Sequence, residues 1–96
     1  MAIVLVSPRA RRNLEGLIRS HSLPSSTMER FVASLKPLSA FPLIGAQLHG
    51  RWSGYRFILG PWRWMLVVYE YREDDDVIGV VAVQDDRASG AATGSD

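Results

Sequence analysis

Two arginines set among aromatic residues are the first chemistry this chain offers. Arg56 stands in Tyr55-Arg56-Phe57-Ile58-Leu59 and Arg63 in Trp62-Arg63-Trp64, on either side of Gly60-Pro61. A guanidinium makes charge-assisted, bidentate bonds to phosphate or carboxylate and stacks on ring faces. A two-residue hairpin loop at Gly60-Pro61, or a four-residue loop in the same register, would pair Leu59 with Trp62, Phe57 with Trp64 and Tyr55 with Leu66. Arg56 and Arg63 then become diagonal cross-strand neighbours on one face, with Trp52 and Tyr69 nearby. Such a face would hold a phosphate or stack a base. The plainer reading is a sheet shielded by Trp52 and Tyr69 and solubilised by its arginines. The opposite face, Tyr55, Phe57, Leu59, Trp62, Trp64, Leu66 and Val68, is expected to lie under helices.

The remaining polar residues point to less. His49 sits in a loop before the Arg56 strand, where a general base is conceivable but a solvated side chain is the default. His21 falls at a helix C-terminus, a position that favours a partial positive charge. The run Glu73 to Asp76 lacks the alternating oxygen spacing of a calcium loop and reads as a solvated turn. Arg9, Arg11 and Arg12 make a local basic patch at a helix start, which reads as solvated charge. There is no cysteine, which removes thiolate chemistry, disulfides and Cys-based zinc sites. No metal and no cofactor is expected.

These side chains need elements to carry them. The 96 residues fit one small domain, and the 47% apolar content is that of a globular chain. Eleven Lys and Arg against ten Asp and Glu leave a net charge of +1, too little for a nonspecific wrapper of nucleic acid. The opening run is too short for a signal peptide and no segment is long enough to span a membrane, so a cytoplasmic location is expected. Ile3 to Val6 reads as a strand. Ser7-Pro8 then caps a helix whose apolar face is Ala10, Leu14, Leu17 and Ile18, ending near His21. Ser26 with Glu29 matches a capping box ahead of Met28, Phe31, Val32 and Leu35, and Pro37 should end or kink that helix. Residues 41–50 read as loop. Trp52 to Leu59, Trp62 to Tyr71 and Val77 to Gln84 read as three strands of an antiparallel meander. The predicted fold is α+β: a first strand, a helical hairpin, then three strands, in one sheet covered on one face by the helices. A single domain is expected over 1–87 and a disordered tail over 88–96.

The order of Pro42, Gly45, Leu48, Gly50, Tyr55, Arg56, Gly60, Trp62, Arg63 and Tyr69 resembles the RelE/ParE superfamily of toxins from type II toxin–antitoxin operons. The likeness also takes in LVSPRARRNLEGLI at the start and runs from Val4 to about Arg87. It implies an antiparallel sheet backed by a helical hairpin, and a growth-inhibiting toxin neutralised by a cognate antitoxin. RelE-like members cut mRNA in the ribosome, and ParE-like members poison DNA gyrase. In the nuclease branch, arginines equivalent to Arg56 and Arg63 would contact RNA phosphate, and Arg87 would stabilise charge. Two departures weigh against cleavage. A second basic residue often follows the strand arginine by two positions, where this chain has Ile58, and the end of the last strand, Gln84-Asp85-Asp86-Arg87, holds neither His nor Tyr. Three readings therefore stand: a toxin acting on gyrase or translation, a ribosome-dependent endoribonuclease using Arg56, Arg63 and Arg87, or a non-toxic member that only binds its partner.

Overall fold

Short β-branched and aliphatic runs form the strands here, and two capped amphipathic stretches form the helices that cover them. The computed structural model describes residues 1–88 and 91–93. β1 (Ile3–Val6) leads into α1 (Pro8–Ser20), then α2 (Thr27–Ser34) and a short α3 (Lys36–Ala40). β2 (Ala46–Gln47), β3 (Arg56–Leu59), β4 (Met65–Arg72) and β5 (Val77–Asp85) follow, with a 3₁₀ turn at Gly50–Trp52. Ser7 caps α1 as its position predicts, accepting from the Ala10 N–H at 3.0 Å, with Pro8 in the first turn. The capping box expected at Ser26 and Glu29 does not form; Ser26 is already helical in conformation and makes no side-chain cap. Thr27 instead turns its hydroxyl back to the Pro24 carbonyl at 2.6 Å. Pro37 splits the helical stretch as its ring requires, and the chain breaks at Leu35 between α2 and α3.

The sheet has five strands in the order β1-β5-β4-β3-β2. β3, β4 and β5 make the expected antiparallel meander, and β1 joins β5 in parallel. The meander is extended by β2, inside the segment expected to be loop; its two residues pair with Phe57 and Arg56. A strand that short carries too little alternation to be seen in sequence.

The β3–β4 register differs from a tight Gly60-Pro61 turn. Leu59 faces Leu66, and the Gly60 N–H reaches the Met65 carbonyl at 2.9 Å. Residues 61–64 are therefore a four-residue loop, closed by the Met65 N–H on the Trp62 carbonyl at 3.0 Å. Trp62, Arg63 and Trp64 lie in this loop and not on a strand.

The helices cover the face opposite to the one expected. Met65, Val67 and Tyr69 of β4, with Ile78, Val80 and Val83 of β5, pack against Ala10, Leu14, Phe31, Leu35 and Leu38. A bulge opposite Val68 and Tyr69 leaves Val81 unpaired, which puts both Val80 and Val83 on the helix side. The other face is Val68 and Ala82, covered by Leu48 and Ala92 with Trp52, Tyr55 and Phe57 alongside. Once Trp62 and Trp64 leave the strands, the two faces are nearly equal in apolar content, so pleat parity alone does not choose between them.

Of the segment expected to be a disordered tail, 89–90 and 94–96 lie outside the described residues. Ala91 and Ala92 are buried, and the Ala92 N–H donates to Gln84 Oε1 at 2.8 Å. Small side chains suffice where the chain only has to lie flat on Val68 and Ala82.

Two glycines give opposite predictions. A Cβ on Gly16 in α1 would meet nothing within 4 Å, whereas one on Gly45 would lie 2.6 Å from Tyr69 Oη and 2.7 Å from the Phe57 carbonyl oxygen. Gly16→Ala is expected to stabilise the fold by about 0.5–1 kcal/mol, by removing unfolded-state freedom. Gly45→Ala is expected to destabilise it by about 1–3 kcal/mol through overpacking. Urea unfolding of both variants checks the signs.

Candidate functional site

The three arginines read as a possible site are not brought together. Arg56 opens β3 and pairs with Tyr69 on β4. Its guanidinium is turned onto the chain itself, donating to the Gly45 carbonyl at 2.8 Å and the Leu43 carbonyl at 3.2 Å. Arg63 lies exposed in the loop beyond the other end of β3. Three residues of extended strand, about 10 Å, separate Arg56 from the end of β3. The diagonal Arg56–Arg63 pair is thus corrected by the longer loop. Arg87 follows β5 and grips Asp85 with Nε to Oδ1 at 3.0 Å and Nη2 to Oδ2 at 3.1 Å.

The aromatic residues expected beside the arginines also have other tasks. Tyr69 is fully buried under the helices. Its hydroxyl donates to the Pro42 carbonyl at 2.8 Å and accepts the Gly45 N–H at 2.9 Å. Burial pushes the Tyr69 pKa up, while the Gly45 N–H and the Arg56 charge pull it back. The hydroxyl therefore keeps the proton it donates. Trp52 lies on the other face of the sheet, edge-on to Tyr55 with ring centroids 5.6 Å apart. Its indole N–H is buried and has no partner among the described residues.

Two places do gather polar side chains. The first is a cleft of about 300 Å³ at the end of the sheet, where Arg56, His49, Tyr55 and Tyr71 meet. His49, read as a loop histidine, shares this cleft with the strand arginine. Tyr71 donates to Asp76 Oδ1 at 2.7 Å, and that bond raises its pKa.

The second is a cluster around Asp85 that the sequence reading missed. His21, at the end of α1, places Nε2 3.1 Å from Asp85 Oδ2 and Nδ1 2.9 Å from Ser20 Oγ. Its ring stacks on Trp64 at 4.4 Å and 15°. The Arg87 guanidinium lies over the same indole, 5.4 Å from its centroid. The bidentate Arg87 contact and the Arg87 backbone N–H hold the Asp85 carboxyl far below the usual carboxylate range, with His21 adding to the effect. Asp85 and Arg87 stand two apart at a strand end, a spacing that was legible. The arrival of His21 from α1 had no sequence signal. The cluster ties three elements together, and each ion in it is already paired. Among the described residues no group of three or more His, Cys, Asp or Glu could hold a metal, and no helix is long and apolar enough to cross a membrane.

Residues 4–89 match the family described as ParE toxin of type II toxin–antitoxin system, parDE. No curated protein matches the chain in sequence. Among solved structures, the RelBE2 toxin–antitoxin complex of Mycobacterium tuberculosis contains a chain that is 21% identical over 88% of this chain and 96% of its own, with a TM-score of 0.64. The isolated RelE toxin of E. coli is 20% identical over 94% of this chain and 89% of its own, with a TM-score of 0.64. YafQ of E. coli is 13% identical over 98% of this chain and 100% of its own, with a TM-score of 0.61. These likenesses establish a shared fold.

The Asp85 cluster predicts an acid limb of stability. A carboxylate whose folded pKa is depressed contributes stability above its unfolded pKa and loses it as pH falls toward the folded value. Asp85→Asn is therefore expected to lower Tm by a few degrees at pH 6. The gap to wild type should shrink below about pH 4, where the unfolded carboxylate protonates. Thermal melts of both proteins from pH 7 to pH 2 read this directly, and a gap independent of pH would contradict it.

Proposed function

Because the chain belongs to the ParE toxin family of type II toxin–antitoxin systems, we propose that it arrests growth in the cytoplasm by binding a protein target, DNA gyrase, and that a cognate antitoxin neutralises it. The observation that carries this reading is the dispersal of the arginines. Cleavage of RNA by 2′-OH attack needs a base, an acid and a stabiliser of the phosphorane charge within hydrogen-bond reach of the reacting atoms. Arg56 is spent on two carbonyls, Arg87 is spent on Asp85, and Arg63 lies exposed beyond the end of β3 opposite to Arg56. A protein target asks less of such a surface. It needs a stable shape and a few exposed anchors.

One observation favours the second reading, a ribosome-dependent endoribonuclease. The cleft that holds Arg56 also holds His49 and Tyr71, so a titratable imidazole stands near a cation. In that reading the working set is Arg56, His49 and Tyr71, with Arg63 and Arg87 outside it.

Expression of the chain alone, with two readouts, separates the readings. The expected result is induction of the DNA-damage response, with gyrase–DNA cleavage complexes accumulating on purified gyrase. Cleavage of ribosome-bound mRNA with gyrase unaffected would replace the first reading by the second. Neither effect, with normal growth, would leave only partner binding.

The arginines give a graded test of the same surface. Arg63→Ala is expected to leave Tm unchanged and to weaken growth arrest, because a desolvated charged contact at an interface is worth about 2–5 kcal/mol. Arg56→Ala is expected to lower Tm as well, because it strips the Leu43 and Gly45 carbonyls of their donor. The antitoxin complex should melt above the free chain by mass action. Equal melting temperatures would count against the antitoxin.

A further inference from the structure

The net charge of +1 conceals a segregation of charge. Five of the ten acids, Glu70 and Glu73 to Asp76, stand at the β4–β5 turn. Loop 61–64 lies at the other end of β4, about 25 Å away at the rise of a strand. On that side α1 carries Arg9, Arg11, Arg12 and Arg19 against one acid, Glu15. At 3.6 residues per turn, Arg9, Arg12 and Arg19 fall within an arc of about 80°, opposite the buried Ala10 and Leu14. All three are exposed. The ion pairs among the described residues belong to Asp85, so these arginines have no acid of their own, although Glu15 stands four residues from Arg19. The basic side continues beyond the helix. Arg12 shares a hollow with Asp85, whose carboxylate is held by Arg87. Arg87 lies over Trp64, Arg30 lies over Trp62, and the exposed Arg63 stands between the two indoles.

We infer that the face of α1 bearing Arg9, Arg12 and Arg19, continued by Arg30 and Arg63, binds the phosphate backbone of duplex DNA. From Arg9 to Arg19 the helix rises about 15 Å. That is the length of about four phosphates along one strand. A guanidinium without an acid beside it breaks no ion pair on meeting a phosphate, and its planar fork fits the oxygens. A protein is a poorer occupant. The centre of a protein interface is depleted of charge and carries apolar anchors, whereas nucleic-acid interfaces are polar and strongly positive. Here the position between Arg12 and Arg19 on the face is Gly16, with no apolar side chain to anchor anything. Single strands are held by bases stacked on aromatic rings. Trp62 and Trp64 already stack with Arg30, Arg87 and His21, so this surface offers contacts to phosphate and not to bases. The choice of DNA also rests on the gyrase reading given above, because gyrase presents bound DNA to whatever docks on it. The acidic β4–β5 turn then points away from the duplex, and the separated charges orient the approach. A few contacts of this kind need no large net charge, since only one side of the chain meets the phosphates.

The test uses the full chain and a 20-base-pair duplex of arbitrary sequence (about two helical turns), with binding followed by fluorescence anisotropy between about 50 and 200 mM salt. Affinity is expected to fall steeply with salt, with a slope of log K against log salt near about −4. Arg12→Glu combined with Arg19→Glu is expected to raise Kd at least about 10-fold and to flatten that slope by about 2. Tm should stay at its wild-type value, because both side chains are exposed and unpaired. Gly16→Glu removes no arginine and sets a carboxylate between Arg12 and Arg19. Its Cβ meets nothing within 4 Å, and glutamate favours a helix more than glycine does, so the variant folds. It is expected to raise Kd about 3-fold by pairing with those arginines. On purified gyrase, both variants should need more toxin for the same yield of cleavage complexes. No duplex binding by the wild-type chain at the lowest salt overturns the assignment, as does an unmoved Kd in either variant. Tighter binding of a single-stranded RNA of the same length overturns it in favour of RNA. Unmoved duplex affinity with loss of gyrase complexes overturns it by giving this face to the gyrase protein. Duplex binding that depends on Arg12 and Arg19, with gyrase unaffected by every form of the chain, upholds the DNA surface and sinks the gyrase reading alone.

Discussion

The Tyr69 hydroxyl holds the segment that closes the sheet. Ser39 is tied to β1, with its carbonyl accepting the Ala2 N–H at 2.9 Å and its hydroxyl donating to the Ala2 carbonyl at 2.6 Å. Ala46, seven residues on, pairs with Phe57 at the opposite edge. The chain between them crosses through the last turn of α3 and a turn at 42–43. This crossing makes few hydrogen bonds of its own, the Phe41 N–H to the Pro37 carbonyl and the Ile44 N–H to the Phe41 carbonyl. Tyr69, from the central strand, supplies an acceptor and a donor to it, and Arg56 supplies two more donors. Without them, buried amide groups would go unpaired at about 1–3 kcal/mol each. The cost of this arrangement is borne by the outward side chains, which have nothing of their own chain to pack on.

The same economy governs the charges. A guanidinium turned onto a carbonyl or carboxylate of its own chain is no longer available to a phosphate without breaking those bonds. Arg56 and Arg87 are both in that position, and Arg30 lies over Trp62 at 4.8 Å. The loop 61–64 benefits in turn. Its two indoles serve as plates for Arg30, His21 and Arg87, which join α1, α2 and the end of β5 to the β3–β4 turn. Arg56, Arg87 and the two indoles thus act as internal scaffolding, while Arg63 stays exposed.

The sheet is also buried on both sides over its centre. Met65 to Tyr69 are all buried, with helices on one face and the 48–57 segment, with Ala92, on the other. A continuous apolar run such as MLVVY is the mark of a strand covered twice. That run explains why a choice of one covered face could not be right for the whole meander. It also makes β4 the strand whose side chains set the spacing of both layers.

Much of this was legible in residues that act locally. Ser7-Pro8 caps a helix because a hydroxyl and a missing N–H suit that position in any context, and Pro37 breaks one for equally local reasons. The strands β1, β3, β4 and β5 followed from runs of β-branched and aromatic residues, and the likeness to a toxin family followed from the order of glycines, tyrosines and arginines. What was not legible depended on partners far along the chain. The capping box at Ser26 lost to a Thr27 bond to Pro24, the β3–β4 pairing set Leu59 opposite Leu66 where Trp62 was expected, and β2 was too short to show a period. The covered face was settled by how α1 meets β5 through a bulge. Above all, sequence identified Arg56, Tyr69 and Gly45 as notable but not as one another's partners. Local propensity is written in neighbouring residues, whereas a hydrogen bond between residues 24 apart exists only after the sheet has brought them within 2.9 Å.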